Sequence, residues 1–498
     1  MKNRITLLNS ISALLLQVFT IISGFVIPKI ILLYFGSRVN GLVSSLTQFL
    51  SYISLVEGGI TGVIYASLYK PLIQKDEKKI SRILVTTNKF YKTIGFIFII
   101  YSIVLAIIYP IFINKDFGFF YVFLLTIVLS LTLFIQYMFS LTLKTLLIAD
   151  KKLYVISFTQ IGIIILNITF TYLSAKIYPN IHILKFISGS MFLLQPIMYR
   201  RYVNKTYNIS WNEKYDNELL KDRWNGFAIN VAAFIHTSTD ITILTLFSNL
   251  KSVSIYYVYA LVTNGLGSLI NSISSGIEPT IGQAYARGDA KELNQKMDMY
   301  EFIIFFLVGG LFTVAALQIT PFVMLYTKNI TDANYYRPLF GYMLVLSEAL
   351  YLLKYPHLSL AYTANKFKEI TIPAYLEAII NIIISIILVN KIGLLGVAIG
   401  TSCAMLYRMV FHVYYTKKIL KNRKQRIFYK KILSIGIATL ISIGISSITK
   451  IDEPTFIHFI IGAGKDSVIV LVVYLITAIL CFRKELNYML SYLKIKHK

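Results

Sequence analysis

Cysteine and nucleotide-binding loops are what this sequence of 498 residues most clearly lacks. Its two cysteines, Cys403 and Cys481, lie in different apolar segments, so neither a disulfide framework nor a cysteine metal cluster is available. No Gly-Lys-Ser/Thr phosphate-binding loop occurs, which argues against ATP hydrolysis. The largest polar loop, residues 200–222, holds no paired-acid metal motif and no nucleophile constellation. A membrane-embedded polysaccharide polymerase or glycosyltransferase is therefore the weaker functional hypothesis.

Apolar residues are abundant and occur in long runs. They make up 56% of the chain, and the mean hydropathy is +0.67, well above what a soluble protein of this size needs. A membrane-spanning helix needs about 20 mostly apolar residues. By that criterion the sequence predicts fourteen spans, numbered in chain order: 5 to 34, 40 to 68, 84 to 110, 118 to 147, 154 to 178, 182 to 199, 223 to 248, 253 to 285, 300 to 326, 337 to 363, 370 to 390, 394 to 415, 429 to 449 and 466 to 482.

The positive charge of the chain follows the predicted membrane. A net charge of +26 would be compatible with nucleic-acid binding, but most of the 49 Lys and Arg lie in the segments on one side of the spans. The positive-inside rule assigns those segments to the cytoplasm. We therefore expect a multi-pass membrane protein with both termini in the cytoplasm, membrane lipids as partners and no nucleic acid.

Three short phrases recur in the second half of the chain at a nearly constant offset. "GVIYA" at 62 to 66 matches "GQAYA" at 282 to 286, "ADK" at 149 to 151 matches "ANK" at 364 to 366, and "ILNITF" at 165 to 170 resembles "IINIII" at 379 to 384. Six spans separate the matching points, and an even number returns the chain to the same side of the membrane. The pattern predicts two parallel repeats, an arrangement in which substrate sites lie between the halves.

The predicted fold is an all-α integral membrane protein of about 14 transmembrane helices, with two parallel six-helix repeats and two extra helices. Residues 1–222 would form an N-lobe with spans 1 to 6 and a central cytoplasmic loop. Residues 223–416 would form a C-lobe with spans 7 to 12. Residues 417–498 would supply spans 13 and 14 and a cytoplasmic tail.

Three longer stretches carry a resemblance to a known family. They are "LLYFGSRVNGLVSSLTQFLSYISLVEGG" at 32 to 59, "EPTIGQAYARGDAKEL" at 278 to 293 and "EAIINIIISIILVNKIGLLGVAIGT" at 377 to 401. They resemble the phrases at the second, eighth and eleventh to twelfth helices of the polysaccharide repeat-unit flippases, of O-antigen and capsule type. These flippases belong to the multidrug/oligosaccharidyl-lipid/polysaccharide (MOP) exporter superfamily. The resemblance runs over nearly the whole chain, and none of the phrases is a catalytic motif.

The resemblance implies a V-shaped carrier with a central cavity lined by spans 1, 2, 7 and 8. It implies that the protein is not an enzyme and moves an undecaprenyl-pyrophosphate-linked oligosaccharide from the inner to the outer leaflet of a bacterial cell membrane by alternating access. A polysaccharide polymerase and chain-length machinery are the implied protein partners. The related lipid II flippases have arginines along the first helix, where this chain offers only Lys29. That departure counts against lipid II as the substrate.

A polar stripe runs along span 8. Its members recur at three- and four-residue steps and so share one helix face: Asn264, Gly267, Asn271, Ser274, Ser275, Glu278, Gly282 and Tyr285. Span 2 repeats the stripe more weakly, and the repeat places Glu57 within one residue of equivalence to Glu278. Close packing of small and hydroxyl residues is one explanation. Because ionisable groups inside a membrane usually face a cavity or a partner, we predict that both acids line a wet pathway.

Other polar groups in the spans complete the predicted pathway. His236 and Asp240 lie one turn apart on span 7, where they would carry a proton, although a histidine that simply donates to Asp240 is an equally good interpretation. Glu348 on span 10 is a further candidate. No organic cofactor is expected, and H+ or Na+ is the candidate coupling ion. Glu377 and Arg408 are expected to form a structural ion pair between spans 11 and 12.

A pyrophosphate would need cations, and few lie within the spans. Lys29 and Arg287 are the candidates, although ordinary positive-inside placement explains Arg287 equally well. Helix kinks are predicted at Pro28 and Pro279, which lack a backbone N–H, and at Gly58 and Gly59. The alternative function is a cation-coupled multidrug exporter of the same superfamily.

Overall fold

The computed structural model is all-α over the residues that it describes, and none of these lies in a β-strand. The backbone is described for 2–57, 60–113, 117–216, 218–220, 227–421, 423–448 and 455–487. The side chains of 2, 3, 113, 220, 227–233 and 235–237 are not described. The predicted fold class is confirmed.

Two compact units divide the chain, Met1–Phe234 and Ile235–Lys498. The first unit contains α1 (Lys2–Ser51), α2 (Ser54–Glu57), α3 (Ile60–Gln74), α4 (Glu77–Ile113), α5 (Phe119–Ile135), a π-helix (Gln136–Ser140), α6 (Leu141–Ala149), α7 (Leu153–Ile177), α8 (Ile181–Met191), α9 (Leu194–Thr206) and a 3-10 turn (Glu218–Leu220). The predicted lobe boundary at 222/223 lies outside the described residues and stays a prediction.

The second unit begins within α10 (Phe227–Phe247). It continues with α11 (Leu250–Arg287), α12 (Ala290–Tyr326), α13 (Pro338–Leu353), α14 (Tyr355–Thr363), α15 (Phe367–Ile392), α16 (Leu394–Thr416), α17 (Arg426–Ile448) and α18 (Phe456–Cys481). The helices of both units follow the order of the predicted spans.

Eleven helical segments of the described residues are long and apolar enough to cross a membrane. The fourteen predicted spans map onto the same helices, and three differences explain the smaller number. Span 1 and the first part of span 2 are continuous in α1, which breaks from helical geometry at Gly36, and the rest of span 2 lies in α2 and α3. Span 7 is not among the eleven, because the apolar helix in the fully described part of α10 is only Ser238–Phe247. Span 10 is divided between α13 and α14.

Each unit packs its helices in the same order. In the first unit span 4 packs against spans 3 and 6, span 5 packs against span 6, and span 2 packs against spans 3 and 4. In the second unit the spans six places further along make the same five pairings. The repeat that the short phrases predicted is therefore present in the three-dimensional packing of each unit.

The turn between the second and third helices of each repeat has the same design. Lys75 follows α3 with φ 55°, and Gly288 follows α11 with φ 74°. An aspartate comes next in both turns and caps the following helix, because Asp76 accepts from the backbone N–H of Lys79 and Asp289 accepts from that of Lys291. Such a left-handed residue followed by a cap ends one helix and begins the next within two residues.

The fourth and fifth helices of each repeat are also joined alike. Lys151, two residues after α6, has φ 58°, and Asn365, two residues after α14, has φ 56°. Both fourth helices are interrupted near their middle as well. The π-helix Gln136–Ser140 lies between α5 and α6, and a turn at Lys354 separates α13 from α14. Such departures from regular helix are frequent at functional sites.

A buried ion cluster attaches α17 to the second unit. Glu301 of α12 is fully buried, and its carboxylate accepts from Arg423 (2.5 and 2.8 Å) and from Lys431 of α17 (3.0 Å). Asp298 accepts from the same two cations, and His357 Nε2 lies 3.0 Å from Glu301 Oε1. Burial by itself would lower the pKa of the Arg423 guanidinium, but the two carboxylates outweigh that effect and raise it. We call these five residues the Glu301 cluster.

Candidate functional site

Asp240 is the centre of a buried polar site in the second unit. Its carboxylate accepts from the Thr401 hydroxyl (2.8 and 2.9 Å), from the Tyr256 hydroxyl (3.0 Å) and, at 3.4 Å, from the Asn381 amide. The Ser385 hydroxyl donates to Asn381 Oδ1 over 2.8 Å. These five residues come from α10, α11, α15 and α16, and we call them the Asp240 site.

The Thr401 hydroxyl lies among a group of acceptor oxygens. The Thr401 hydroxyl carries one proton, yet four acceptor oxygens lie within 3.4 Å of it: both carboxylate oxygens of Asp240, Asn381 Oδ1 at 3.3 Å and the Val397 carbonyl at 3.1 Å. One hydroxyl proton serves only one or two of them. The Tyr256 hydroxyl and the Asn381 amide also donate to the Asp240 carboxylate, and the Ser385 hydroxyl donates to Asn381 Oδ1.

The donor set fits a hard monovalent cation. Carboxylate, amide, hydroxyl and carbonyl oxygens are the ligands that such ions prefer. Oxygens that surround a cation at about 2.4 Å lie roughly 3.4 Å apart. Two oxygen pairs here have that spacing, Ser385 Oγ to the Val397 carbonyl at 3.4 Å and Thr401 Oγ1 to Asn381 Oδ1 at 3.3 Å, whereas Thr401 Oγ1 lies closer to Asp240, at 2.8 and 2.9 Å. Among the described residues no group of three His, Cys, Asp or Glu side chains could hold a metal ion, so the site lacks the donors of a zinc centre.

A second acid, Glu348, lies beside the Asp240 site. Its carboxylate is packed over Gly267 of α11, where an added Cβ would be 2.7 Å from Glu348 Oε1. Asp240 and the buried Lys354 both interact with it electrostatically. The Lys354 ammonium lies 3.9 Å from the centre of the Tyr351 ring, at the turn that interrupts span 10. The sequence does not show that Glu348 lies near Asp240 and Gly267, because the three residues belong to different helices.

The expected pair of Glu377 and Arg408 is present. The two side chains are buried and 3.1 Å apart, and Arg408 Nε also donates to His412 over 2.8 Å. This ion pair joins α15 to α16. The same two helices hold Asn381 and Thr401, so the pair fixes the wall of the Asp240 site.

Glu57 belongs to a smaller cluster in the first unit. It ends the short helix α2 and is half-buried. Its carboxylate accepts from Thr61 (3.0 Å) and from Tyr137 of the π-helix (3.4 Å), and it interacts electrostatically with Lys144. Thr61 Oγ1 is in turn 3.4 Å from the hydroxyl of the buried Tyr91. The sequence showed no cation near Glu57, but the fold brings one from span 4.

The stripe predicted along span 8 is divided in the structure. Asn264, Asn271, Glu278 and Tyr285, spaced seven residues apart, form an exposed row on α11. Ser274 and Gly267 are buried, since Ser274 pairs with the Tyr300 hydroxyl and Gly267 lies under Glu348. We call the exposed residues the α11 row. Glu278 makes no ion pair with a described residue, whereas Glu57 accepts two side-chain hydrogen bonds.

The remaining predicted pathway residues are dispersed. Lys29 is half-buried in α1, and Arg287 is exposed and pairs with Glu292 at 3.0 Å. Gly58, Gly59 and the side chain of His236 lie outside the described residues, so their roles stay predictions.

Neither predicted proline kink interrupts its helix. α1 continues through Pro28 and α11 continues through Pro279. The departure from helical angles in α1 is at Gly36, with φ 78° and ψ 178°, values that a side chain would disfavour.

Three residues of the Asp240 site were missed at the sequence level. Asn381, Thr401 and Ser385 are uncharged, so they do not stand out among the ionisable groups of the spans. One signal was available, because the repeated phrase "ILNITF" and "IINIII" aligns Asn381 with Asn167. In α7 the Thr171 hydroxyl donates to Asn167 Oδ1 over 3.1 Å, as Ser385 does to Asn381. The amide and hydroxyl pair is thus common to both units.

Comparison with solved structures identifies the fold. The lipid II flippase MurJ, in an inward closed conformation, is 18% identical, with a TM-score of 0.68 over 96% of this chain and 99% of that chain. An inward-facing multidrug resistance MATE family transporter of the MOP superfamily is 12% identical, with a TM-score of 0.61 over 82% of this chain and 96% of that chain. The MATE multidrug transporter DinF-BH, solved as a complex, is 14% identical, with a TM-score of 0.60 over 85% of this chain and 96% of that chain.

No family model matches the sequence, and no curated relative matches it. The likeness is therefore one of fold. The chain has the fold of MOP-superfamily carriers, as the resemblance of its motifs implied.

Proposed function

We propose that this chain, which shares its fold with a lipid II flippase and with MATE transporters, is a flippase for lipid-linked oligosaccharides. It moves an undecaprenyl-pyrophosphate-linked repeat unit from the inner to the outer leaflet of a bacterial cell membrane, for the assembly of surface polysaccharide such as O-antigen or capsule. Its protein partners are then a polysaccharide polymerase and chain-length machinery. No step of this transfer requires enzymatic chemistry.

One observation carries this choice over drug export. The lipid II flippase matches 96% of this chain, whereas the two MATE structures match 82% and 85% of it. The first twelve spans occupy residues 1–416 of the 498 residues. Likeness to the flippase thus reaches into α17 and α18, which lie beyond those twelve spans. Lipid II itself is disfavoured, since the first helix offers Lys29 in place of arginines.

The Asp240 site supports a coupled cycle. We assign a monovalent cation to it, with Na+ favoured over H+ because the site is rich in neutral oxygen ligands. Binding would draw α10, α15 and α16 together around the ion. An ion gradient then biases which conformation of the carrier predominates.

Deletion of the gene in its host tests the transported substrate. We expect surface polysaccharide to disappear and lipid-linked repeat units to accumulate in the inner leaflet, with both effects reversed by the wild-type gene. Accumulation of lipid II in place of the repeat unit would contradict the proposal.

The multidrug exporter is the second candidate, favoured by the MATE likeness. Cells that lack the chain would then retain a fluorescent cationic dye and keep normal surface polysaccharide. Measuring both phenotypes in one strain separates the two functions, because each predicts a change that the other does not.

Replacement of Na+ tests the coupling ion separately. Transport in proteoliposomes is measured with Na+ replaced by choline at constant pH, and then with a protonophore at constant Na+. Loss of transport only in the first experiment supports Na+, and loss only in the second supports H+.

A further inference from the structure

The segment between α16 and α17 is strongly basic and is unrelated to the Asp240 site. The stretch "KKILKNRKQRIFYKK" at 417 to 431 has eight Lys or Arg among fifteen residues and no acid. It joins two membrane-spanning helices, so it lies at the membrane boundary. The positive-inside rule assigns it to the cytoplasmic side.

A small open pocket of about 10 Å³, room for one water or one phosphate oxygen, lies at this segment. Basic side chains supply part of its lining, namely His357, Lys417, Arg423 and Lys424. The Gln425 amide, and an apolar wall that includes Phe428, supply the rest. Exposed lysines lie at the mouth of the pocket and Phe428 is only 3% exposed, so the pocket matches a single anionic oxygen.

The charges of this lining are not all available to a ligand. Arg423 is neutralised by Asp298 and Glu301, at 2.6 and 2.5 Å, and His357 contacts Glu301. Lys417 and Lys424 are exposed and make no ion pair with any described residue. The pocket therefore has two free ammonium groups.

Gln425 gives a second, independent indication of an acceptor. Its Nε2 is buried and has no hydrogen-bond partner among the described residues. A buried donor without a partner costs about 1 to 3 kcal/mol. An oxygen of a bound anion would satisfy this donor while it contacts the two lysines.

We propose that this pocket binds the phosphate group of an anionic phospholipid. One phosphate oxygen enters the pocket beside the Gln425 amide, and the other oxygens contact Lys417 and Lys424 at its mouth. The acyl chains extend into the bilayer beside α16 and α17. Lysines next to a spanning helix attract anionic headgroups. Free phosphate offers the same oxygens but lacks the acyl chains that hold a lipid at the membrane boundary. The proposal concerns a lipid held at the rim of the protein and does not depend on the transported substrate.

Lipid binding to the purified full chain in dodecyl maltoside tests this pocket. The probe is palmitoyl-oleoyl-phosphatidylglycerol, titrated by native mass spectrometry and by the rise in apparent melting temperature. Phosphatidylcholine of the same acyl composition and inorganic phosphate are the comparison ligands. We expect phosphatidylglycerol to bind and stabilise, and the other two to have little effect.

Two double variants locate the binding. Lys417→Gln with Lys424→Gln should weaken phosphatidylglycerol binding by roughly 30-fold. Lys418→Gln with Lys421→Gln removes the same charge from the same segment, but neither residue lines the pocket. That control should bind within about threefold of wild type, and its melting temperature without lipid should match that of the first variant.

Three results would overturn the proposal. Equal losses in both double variants would mean that the lysines act only as a diffuse charge. Equal stabilisation by phosphatidylcholine would remove the role of the headgroup. Stabilisation by inorganic phosphate that depends on Lys417 and Lys424 would identify a soluble phosphate site.

Discussion

Thr401 Oγ1 lies 2.8 Å from one carboxylate oxygen of Asp240 and 2.9 Å from the other, so a single hydroxyl bridges both oxygens of a buried acid. A hydroxyl in that position either donates its proton to the acid or, with a cation present, acts as a neutral ligand. Substitution at Thr401 therefore separates structural from ion-binding roles.

We expect Thr401→Val to weaken cation binding by about 10- to 100-fold, because it removes one oxygen from the buried site and leaves Asp240 with one fewer donor. Thr401→Ser keeps the hydroxyl and should stay close to wild type. The measurement is the concentration of Na+ that gives half-maximal transport, or half of the Na+-induced rise in melting temperature. Equal behaviour of the two variants would show that the hydroxyl is not a ligand.

Gly267→Ala tests the position of Glu348. The new Cβ would lie 2.7 Å from Glu348 Oε1, and the end of that flexible side chain must move aside. We expect the concentration of Na+ for half-maximal transport to change by about 2- to 30-fold with little loss of stability. Gly265→Ala, on the same helix with open space around it, is the matched control and should behave as wild type. An unchanged Gly267→Ala protein would separate Glu348 from coupling.

Lys431→Met should destabilise the second unit by about 3 kcal/mol or more, because it leaves two carboxylates of the Glu301 cluster with one fewer cation. Lys430→Met removes the same charge from an exposed neighbouring position and should cost less than about 0.5 kcal/mol. The apparent melting temperature in detergent reports both effects. Similar losses in the two variants would assign them to net charge.

Glu57→Gln and Glu278→Gln should differ in their stability effects. Glu57 accepts two side-chain hydrogen bonds and interacts with Lys144, so its neutralisation should cost about 1 kcal/mol. Glu278 is exposed on the α11 row without an ion pair to any described residue, and its variant should melt within about 0.5 kcal/mol of wild type. A transport defect in Glu278→Gln at unchanged stability would place that acid in the pathway. Normal transport in both variants would remove the two acids from the mechanism.

Much of the fold was predictable because a membrane imposes simple rules on sequence. Apolar length located the helices, and three short phrases found a repeat that packing order and turn geometry reproduce. The turns at Lys151 and Asn365 come from matching "ADK" and "ANK" phrases, so that match reflected backbone geometry and not chance.

The candidate site was less predictable, because its members are uncharged or distant in sequence. Asp240 was singled out for its charge, but its partners Thr401 and Asn381 resemble ordinary packing residues until the helices are assembled. Helical periodicity grouped Ser274 with Glu278, although the structure buries the serine and exposes the acid. The α11 row and the buried residues beside it are separated by a rotation of about one residue around the helix axis. Sequence periodicity does not resolve positions that close together.

The pair of Asn167 and Thr171 repeats the geometry of Asn381 and Ser385, but no described carboxylate is hydrogen-bonded to it. The two repeats therefore share the amide and hydroxyl pair, but only in the second repeat does a described carboxylate, Asp240, contact it. With the cation assigned to Asp240, the described residues offer one ion per transport cycle and not a symmetric pair. A single charge that crosses the membrane gains about 2.3 kcal/mol per 100 mV, which under the proposed coupling is the work available for each movement of substrate.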